Sequence, residues 1–143
     1  MIAKVMLVDD EEPFVETLAK RLTKRELNVL TAFSGPEALE KLEQDSRVDV
    51  VILDVKMPGM DGIEALKQIK AKYPLLEVIM LTGHATVESA IEGMKLGALD
   101  YLMKPCDMEI LMNKVREAAS KKRKHEEKIA EARALQITLR RGD

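Results

Sequence analysis

Residues 48–62 read VDVVILDVKMPGMDG, and they give the clearest indication of the fold. It begins with an apolar run, 48–53, that only Asp49 interrupts, and it continues through Asp54 into a segment rich in glycine and proline. A short apolar run bounded by turn residues predicts a strand, and near-continuous apolarity is typical of a parallel strand that is covered on both faces. Asp54 is therefore expected at the end of a central strand.

The same alternation of apolar runs with amphipathic stretches extends along the chain. The predicted strands are 2–8, 27–33, 48–53, 75–81 and 99–103. Helices are predicted over 13–25 and 85–96, after residues 34 and 62, and from 107 onwards through the charged tail. Strict alternation predicts an α/β fold, in which helices cover both faces of a five-stranded parallel sheet because crossovers are right-handed. The tail adds an extended C-terminal helix to that sheet.

Polar residues stand at the predicted strand ends, where ligands bind in sheets of this kind. They are Asp9, Asp10, Asp54, Thr82, Gly83, Lys104 and Pro105. Carboxylates that share one rim repel each other, and a hard cation such as Mg²⁺ would offset that repulsion with oxygen ligands. Lys104 adds a positive charge and Thr82 a hydroxyl donor, which completes the parts of a phosphoryl-transfer site. Asp54 is the best-placed carboxylate to act as the nucleophile.

These segments, in this order, resemble the receiver domain of bacterial two-component response regulators. The matching segments are Asp9-Asp10, residues 53–62, Thr82-Gly83 and Lys104-Pro105. The resemblance covers roughly residues 1–120 and implies a doubly wound, flavodoxin-like sheet of strand order 2-1-3-4-5. It also implies a signalling module that supplies its own phosphotransfer and slow self-dephosphorylation chemistry, rather than a turnover enzyme.

The resemblance implies a role for each matching position. Asp54 would be the phosphoacceptor in a reaction that needs Mg²⁺ as its cofactor. Thr82 and Lys104 would contact the phosphoryl oxygens, and Gly83 would leave room for the group to enter. The implied metal ligands are Asp10 directly, Asp9 largely through water, Asp54, and the backbone carbonyl of Lys56.

Four further positions take their implied roles from the same resemblance. Tyr101 would be a switch aromatic that turns inward as Thr82 moves toward the phosphate, although an aromatic that simply fills a strand is a serious rival explanation. Pro105 would follow a cis peptide bond. Lys56 and His84 would tune the lifetime of the aspartyl phosphate by shaping the access of water to it.

Other functions remain open on the sequence alone. Asp9 and Asp10 would also suit the start of a helix, where negative charge is favourable. A phosphatase of the haloacid-dehalogenase type also uses an aspartyl nucleophile and Mg²⁺, but Lys56 stands where its second acid belongs. A docking module that is never phosphorylated is the third alternative.

Composition limits the class of protein. The chain is 46% hydrophobic and 34% charged, as in soluble globular proteins, and no apolar run approaches the ~18 residues of a membrane span. Cys106 is the only cysteine, so an internal disulfide is excluded and a reducing cytoplasm is expected. Residues 1–115 carry 14 basic and 20 acidic side chains, which disfavours direct contact with nucleic acid.

The last part of the chain differs in charge, since residues 116–143 carry nine basic and five acidic side chains. We expect a receiver domain over 1–120 and a charged helical extension or linker over 121–143. A faint heptad links Leu111, Val115, Ala118, Lys122, His125, Ile129, Ala132, Gln136 and Leu139. Its apolar positions suggest a dimer seam along the tail.

Partners are implied by the resemblance. The expected phosphoryl donor is a sensor histidine kinase, and the expected response is a change on the face formed by the fourth helix, fifth strand and fifth helix. That face or the tail helix would join two copies in a homodimer. Residues 85–119 resemble receivers that precede the ATPase domains of sigma-54 activators, so we expect either a receiver-only regulator or a fragment that ends in the linker to a C-terminal output domain beyond Asp143.

Overall fold

A computed structural model describes residues 3–141, with side chains as far as residue 140. Strands and helices alternate along it as the sequence predicts. They are β1 (Lys4–Val8), α1 (Glu12–Thr23), β2 (Asn28–Ala32), α2 (Gly35–Gln44), β3 (Val50–Leu53), α3 (Gly62–Lys72), β4 (Glu77–Thr82), α4 (Val87–Lys95), β5 (Asp100–Met103) and α5 (Met108–Arg141).

The five strands form one parallel sheet in the order β2-β1-β3-β4-β5, which confirms the predicted topology. β3 lies at its centre, and all four of its residues are buried. The order reverses beside β1, so the crevice between the carboxyl ends of β1 and β3 is the place where such a sheet binds ligands.

Two apolar layers hold the helices against the sheet, because successive strand residues point to opposite faces. Val5 and Leu7 of β1 pack in one layer with α1 and α5. Met6 and Val8 pack in the other layer with α2 and α3. The doubly wound arrangement predicted from the alternation is therefore confirmed.

Two element boundaries differ from the sequence prediction. β4 covers Glu77–Thr82 rather than 75–81, so that Thr82 is the last residue of the strand instead of following it. α4 begins at Val87 rather than at 85, because Thr86 and Ser89 form a reciprocal capping box that fixes the first turn. The start of the predicted first strand, at residue 2, lies outside the described residues.

α5 continues without a break from the receiver body into the tail, as predicted. Its 34 residues give it a length of about 50 Å at ~1.5 Å per residue. The last buried side chain is that of Lys122, and every side chain from 126 to 140 is exposed. Within residues 3–141, no helix has the combination of length and apolarity that crossing a membrane requires.

Candidate functional site

The carboxyl ends of β1, β3, β4 and β5 meet at one rim of the sheet. The Asp54 backbone N–H donates to the Val8 carbonyl at 3.0 Å, which holds the end of β3 beside that of β1. The Lys104 N–H donates to the Thr82 carbonyl at 2.9 Å and joins β5 to β4 in the same way. Side chains that are distant in the sequence, including Asp9, Asp54 and Lys104, thereby come together.

Asp54 occupies the centre of this rim and is only 2% exposed. Its Oδ1 accepts a hydrogen bond of 2.8 Å from the Val55 N–H. Its Oδ2 is buried without any hydrogen-bond partner. A buried polar atom left unpaired costs about 1–3 kcal/mol, so this oxygen is suited to a ligand that would complete its coordination.

Lys104 brings a cation to the carboxylates. Its Nζ lies 2.6 Å from Asp9 Oδ2, 3.3 Å from Glu11 Oε1 and 3.9 Å from Asp54 Oδ2. Burial alone would lower the pKa of Lys104, but the hydrogen bond with Asp9 and the charge of Asp54 raise it above its ordinary value. The side chain therefore stays an ammonium ion that is close to Asp54 without being hydrogen-bonded to it.

Asp9, and not Asp10, lies inside the acidic cluster. Carboxylate oxygens of Asp9, Glu11 and Asp54 all lie within 4.8 Å of one another, the only such group among residues 3–141. Burial raises the pKa of Asp9, and the hydrogen bond from Lys104 opposes this rise. Asp10 is exposed and lies outside the cluster, so its direct ligation of a metal stays a prediction.

Glu11 is a site residue that the sequence analysis did not single out. It is the N-cap residue of α1, yet its side chain caps no helix N–H and instead approaches Lys104. The available signal was the acidic run 9–12, which places further carboxylates next to the matched pair. Sequence alone does not tell which of these side chains turns toward the rim.

Thr82 and Gly83 border the site at the carboxyl end of β4. Thr82 is fully buried, and its Oγ1 accepts a hydrogen bond of 3.0 Å from the His84 N–H. A Cβ atom at Gly83 would meet only Lys104 Cδ, at 3.9 Å, which leaves open space above the strand end. The side chains of His84 and Lys56 are both exposed.

Tyr101 lies at the edge of the site, half-buried between β5 and α4. Its hydroxyl is 2.6 Å from Ser89 Oγ, the residue that forms the capping box of α4. Its ring packs on the α2/α3 side of the sheet, near Gly93. The peptide bond between Lys104 and Pro105 is cis.

Comparisons with known proteins identify the family. The family model described as the response regulator receiver domain matches residues 5–116. The transcriptional regulatory protein ZraR of Salmonella typhimurium is 36% identical over 135 residues, which are 94% of this chain and 30% of that protein. The DNA-binding transcriptional regulator NtrC of Escherichia coli is 39% identical over 116 residues, which are 81% of this chain and 24% of that protein. The chain thus spans less than a third of these relatives.

Solved structures show the same architecture. A response regulator receiver domain protein from Clostridium thermocellum superposes with a TM-score of 0.81 at 37% identity, covering 85% of this chain and 97% of that one. NtrX from Brucella abortus gives a TM-score of 0.80 at 28% identity and covers 92% of this chain but 30% of that one. The protein described here belongs to the response regulator receiver domain family, and it is a signalling module of the two-component type.

Proposed function

We propose that Asp54 accepts a phosphoryl group from a phosphohistidine on a sensor kinase. A carboxylate oxygen of Asp54 forms the new P–O bond while the P–N bond to the imidazole breaks, and the imidazole keeps the bonding electrons. Lys104 stabilises the charge on the equatorial oxygens of the phosphoryl group. The Thr82 hydroxyl is proposed to donate a hydrogen bond to the same group once it is bound. Slow hydrolysis of the aspartyl phosphate by this same domain would then return it to its resting state, without turnover of any other substrate.

The unpaired Oδ2 of Asp54 is the observation that carries this proposal. It is the one buried side-chain oxygen or nitrogen without a partner among the described residues. The neighbouring ammonium of Lys104 is 3.9 Å away, close enough to attract an anion there but too far to occupy the oxygen itself. Such an atom at the end of a central strand is well suited to bond formation.

The donor set fits a hard divalent cation. Asp9, Glu11 and Asp54 offer carboxylate oxygens and no sulfur or imidazole, and Mg²⁺ prefers such oxygen ligands. We propose that Asp10 and Asp54 hold the ion directly and Asp9 holds it largely through water, with the backbone carbonyl of Lys56 completing the protein ligands. When bound, Mg²⁺ would supply charge neutralisation for the incoming phosphoryl oxygens.

Asp54→Asn will reduce labelling by acetyl phosphate or by a phosphorylated histidine kinase to background, because the amide is no longer a nucleophile. Phosphorylation is measured by intact-protein mass spectrometry in Mg²⁺ and again after chelation, which should also abolish it. Asp45→Asn is the matched control, since Asp45 precedes β3 and lies at the amino ends of the strands, opposite the site. Labelling of the Asp54→Asn variant at the normal rate would contradict the assignment.

The switch is proposed to act through Tyr101 and the α4-β5-α5 face. An aspartyl phosphate carries almost two negative charges in place of the single charge of the carboxylate, and it can draw Lys104 and Thr82 toward it, which biases a pre-existing equilibrium. The Tyr101–Ser89 contact supports this route because it joins β5 directly to the first turn of α4. Lys56 and His84, exposed beside the site, are proposed to tune the lifetime of the aspartyl phosphate.

A homodimer is proposed as the output of the switch. The α4-β5-α5 face exposes the large apolar side chains of Val87, Ile91, Met94, Met103 and Ile110. The first positions of the heptad, by contrast, are buried in the receiver itself, which leaves the tail seam only from Ile129 onwards. The α4-β5-α5 face is therefore the better-supported of the two dimer surfaces.

Ile91→Ser will shift the phosphorylated protein from dimer to monomer, because it removes an exposed apolar side chain from this face. Sedimentation velocity at micromolar concentration, with and without acetyl phosphate, measures the change. Ile129→Ser is the matched variant on the tail, and we expect it to leave the dimer largely intact. Monomers in every condition would rule out dimerisation, and loss of the dimer only in the Ile129→Ser variant would assign it to the tail.

Family membership favours the receiver over the two alternative functions. Lys56 is exposed at the position where a dehalogenase-type phosphatase has its second acid. A docking module that is never phosphorylated would not need the acidic cluster with its adjacent lysine. We further propose that this domain works in the cytoplasm and controls an output domain, since its relatives are more than three times as long as the matched region. No direct contact of the receiver with nucleic acid or membrane is proposed.

A further inference from the structure

One face of the Lys104 ammonium is not turned toward a carboxylate. The acids Asp9, Glu11 and Asp54 lie close to Nζ, as described above, and the aromatic ring of Phe14 lies beside it with its centroid 4.0 Å away. This distance is well within the ~6 Å at which a ring face attracts a cation through its quadrupole. Lys104 therefore stands between carboxylates and a π-face.

The ring of Phe14 is half-buried against the core. Phe14 follows Pro13 in the first turn of α1, directly after the acidic run. It packs against the apolar layer between α1, α5 and the sheet, next to Leu18 one turn later. Because the half-buried ring packs against the core layer, its motion beside Lys104 is restricted.

The same ring and Lys104 also line a groove next to the site. Phe14, Lys104 and Pro105 line a groove of about 160 Å³ between α1 and the start of α5. The contact of Nζ with the Phe14 ring therefore lies where this groove meets the acidic cluster.

A π-face has an advantage over another acid at this place. A fourth carboxylate would hydrogen-bond to the ammonium and compete with an incoming phosphoryl oxygen for its protons. The ring attracts the charge without accepting a conventional hydrogen bond, so it does not compete with a phosphoryl oxygen for the N–H groups of the ammonium.

We infer that Phe14 is a positioning residue, which holds the Lys104 ammonium by a cation–π contact in the place where it meets the phosphoryl group on Asp54. This inference rests on the proposed function and adds a residue to it. Phe14 itself touches no reacting atom. Its effect passes entirely through Lys104, and it should therefore follow the electrostatics of the ring rather than its size.

Replacing Phe14 with mono-, di- and pentafluorinated phenylalanine tests the inference, since fluorine withdraws charge from the ring face while nearly keeping its shape. The measurement is the rate of phosphorylation of the full chain by acetyl phosphate in Mg²⁺. We expect the logarithm of the rate to fall with each step, reaching about two- to tenfold slower at pentafluorophenylalanine. Phe14→Leu should be equally slow, and Phe14→Tyr should retain the parent rate.

Phe33 provides the matched control, because it is the other phenylalanine of the chain and packs against the same apolar layer. Within residues 3–141 the recorded cation–π contacts involve Phe14 and Tyr73, so fluorination of Phe33 should not alter the rate. A rate that stays constant along the Phe14 series, while the parent protein is labelled on Asp54, overturns the inference. Labelling that does not depend on Asp54 overturns the proposed function instead.

Discussion

Gly62→Ala will destabilise the protein by about 3 kcal/mol, because the first residue of α3 has no room for a side chain. A Cβ atom there would lie 1.8 Å from the carbonyl oxygen of Asp54 and 2.8 Å from the Cα of Val55. Both are backbone atoms, which cannot rotate away as a flexible side chain does. The end of β3 or the start of α3 would have to move, and urea-induced unfolding measures the cost.

Gly83→Ala is the matched control for this substitution. Gly83 also borders the site, but a Cβ atom there would come no closer than 3.9 Å to Lys104 Cδ. We expect its free energy of unfolding to change by less than about 1 kcal/mol. If Gly62→Ala were tolerated as well as Gly83→Ala, the close approach of α3 to the backbone of Asp54 and Val55 would be wrong.

The fold and the centre of the site follow from patterns that a single sequence contains. The apolar run before Asp54 predicts a central strand, and strict alternation leaves few topologies for a parallel sheet. The polar strand ends then predict which residues meet, and the contacts of Lys104 with Asp9 and Asp54 agree with that expectation. The strands were predictable because each depends on the periodicity of its own segment, and the meeting of their carboxyl ends follows from the parallel arrangement of the sheet.

The remaining details depend on side-chain directions that no local pattern encodes. Adjacent acids after a strand give no rule for which one turns inward, and here Asp9 and Glu11 do so while Asp10 stays exposed. The contact between Phe14 and Lys104 joins the first and last strand–helix units, so neither segment reveals it alone.

The heptad shows a second property that the sequence leaves open, namely which surface covers an apolar stripe on a helix. Leu111, Val115 and Ala118 have the spacing of a dimer seam, but all three are buried against the sheet of their own chain. An apolar stripe on a helix indicates that one face is buried, but it does not indicate whether the same chain or a second copy covers that face. Only the tertiary structure separates the part of α5 that belongs to the receiver core from the part that is exposed.

Side chains beyond the predicted domain boundary at residue 120 contact the receiver body. Lys122 Nζ lies 3.6 Å from Asp49 Oδ1, and Arg123 lies 3.7 Å from Asp49 Oδ2. Lys121 Nζ approaches the buried carboxylate of Glu77 at 3.7 Å. Asp49 directly precedes β3, and Glu77 is the first residue of β4. Both acids therefore lie at the amino ends of the strands, opposite the site.

Asp49→Ala will therefore destabilise the receiver by about 2 kcal/mol and loosen the adjoining turn of α5. The carboxylate of Asp49 also accepts a hydrogen bond of 2.9 Å from the Lys4 N–H, so its removal leaves a backbone donor and the largely buried Lys122 ammonium without that partner. Urea-induced unfolding gives the first quantity. Faster amide hydrogen exchange over residues 121–126 reports the second.

Glu126→Ala separates this anchoring from an ordinary surface ion pair. Glu126 contacts the same Lys122 Nζ at 3.3 Å, but its side chain is 49% exposed, so its loss should cost no more than about 0.5 kcal/mol. A large effect of Asp49→Ala with a small effect of Glu126→Ala would extend the folded unit past residue 120, because burial and not charge pairing alone fixes the helix there. Equal, small effects would instead support a receiver that ends at 120, followed by a helix that its ion pairs do not hold in place.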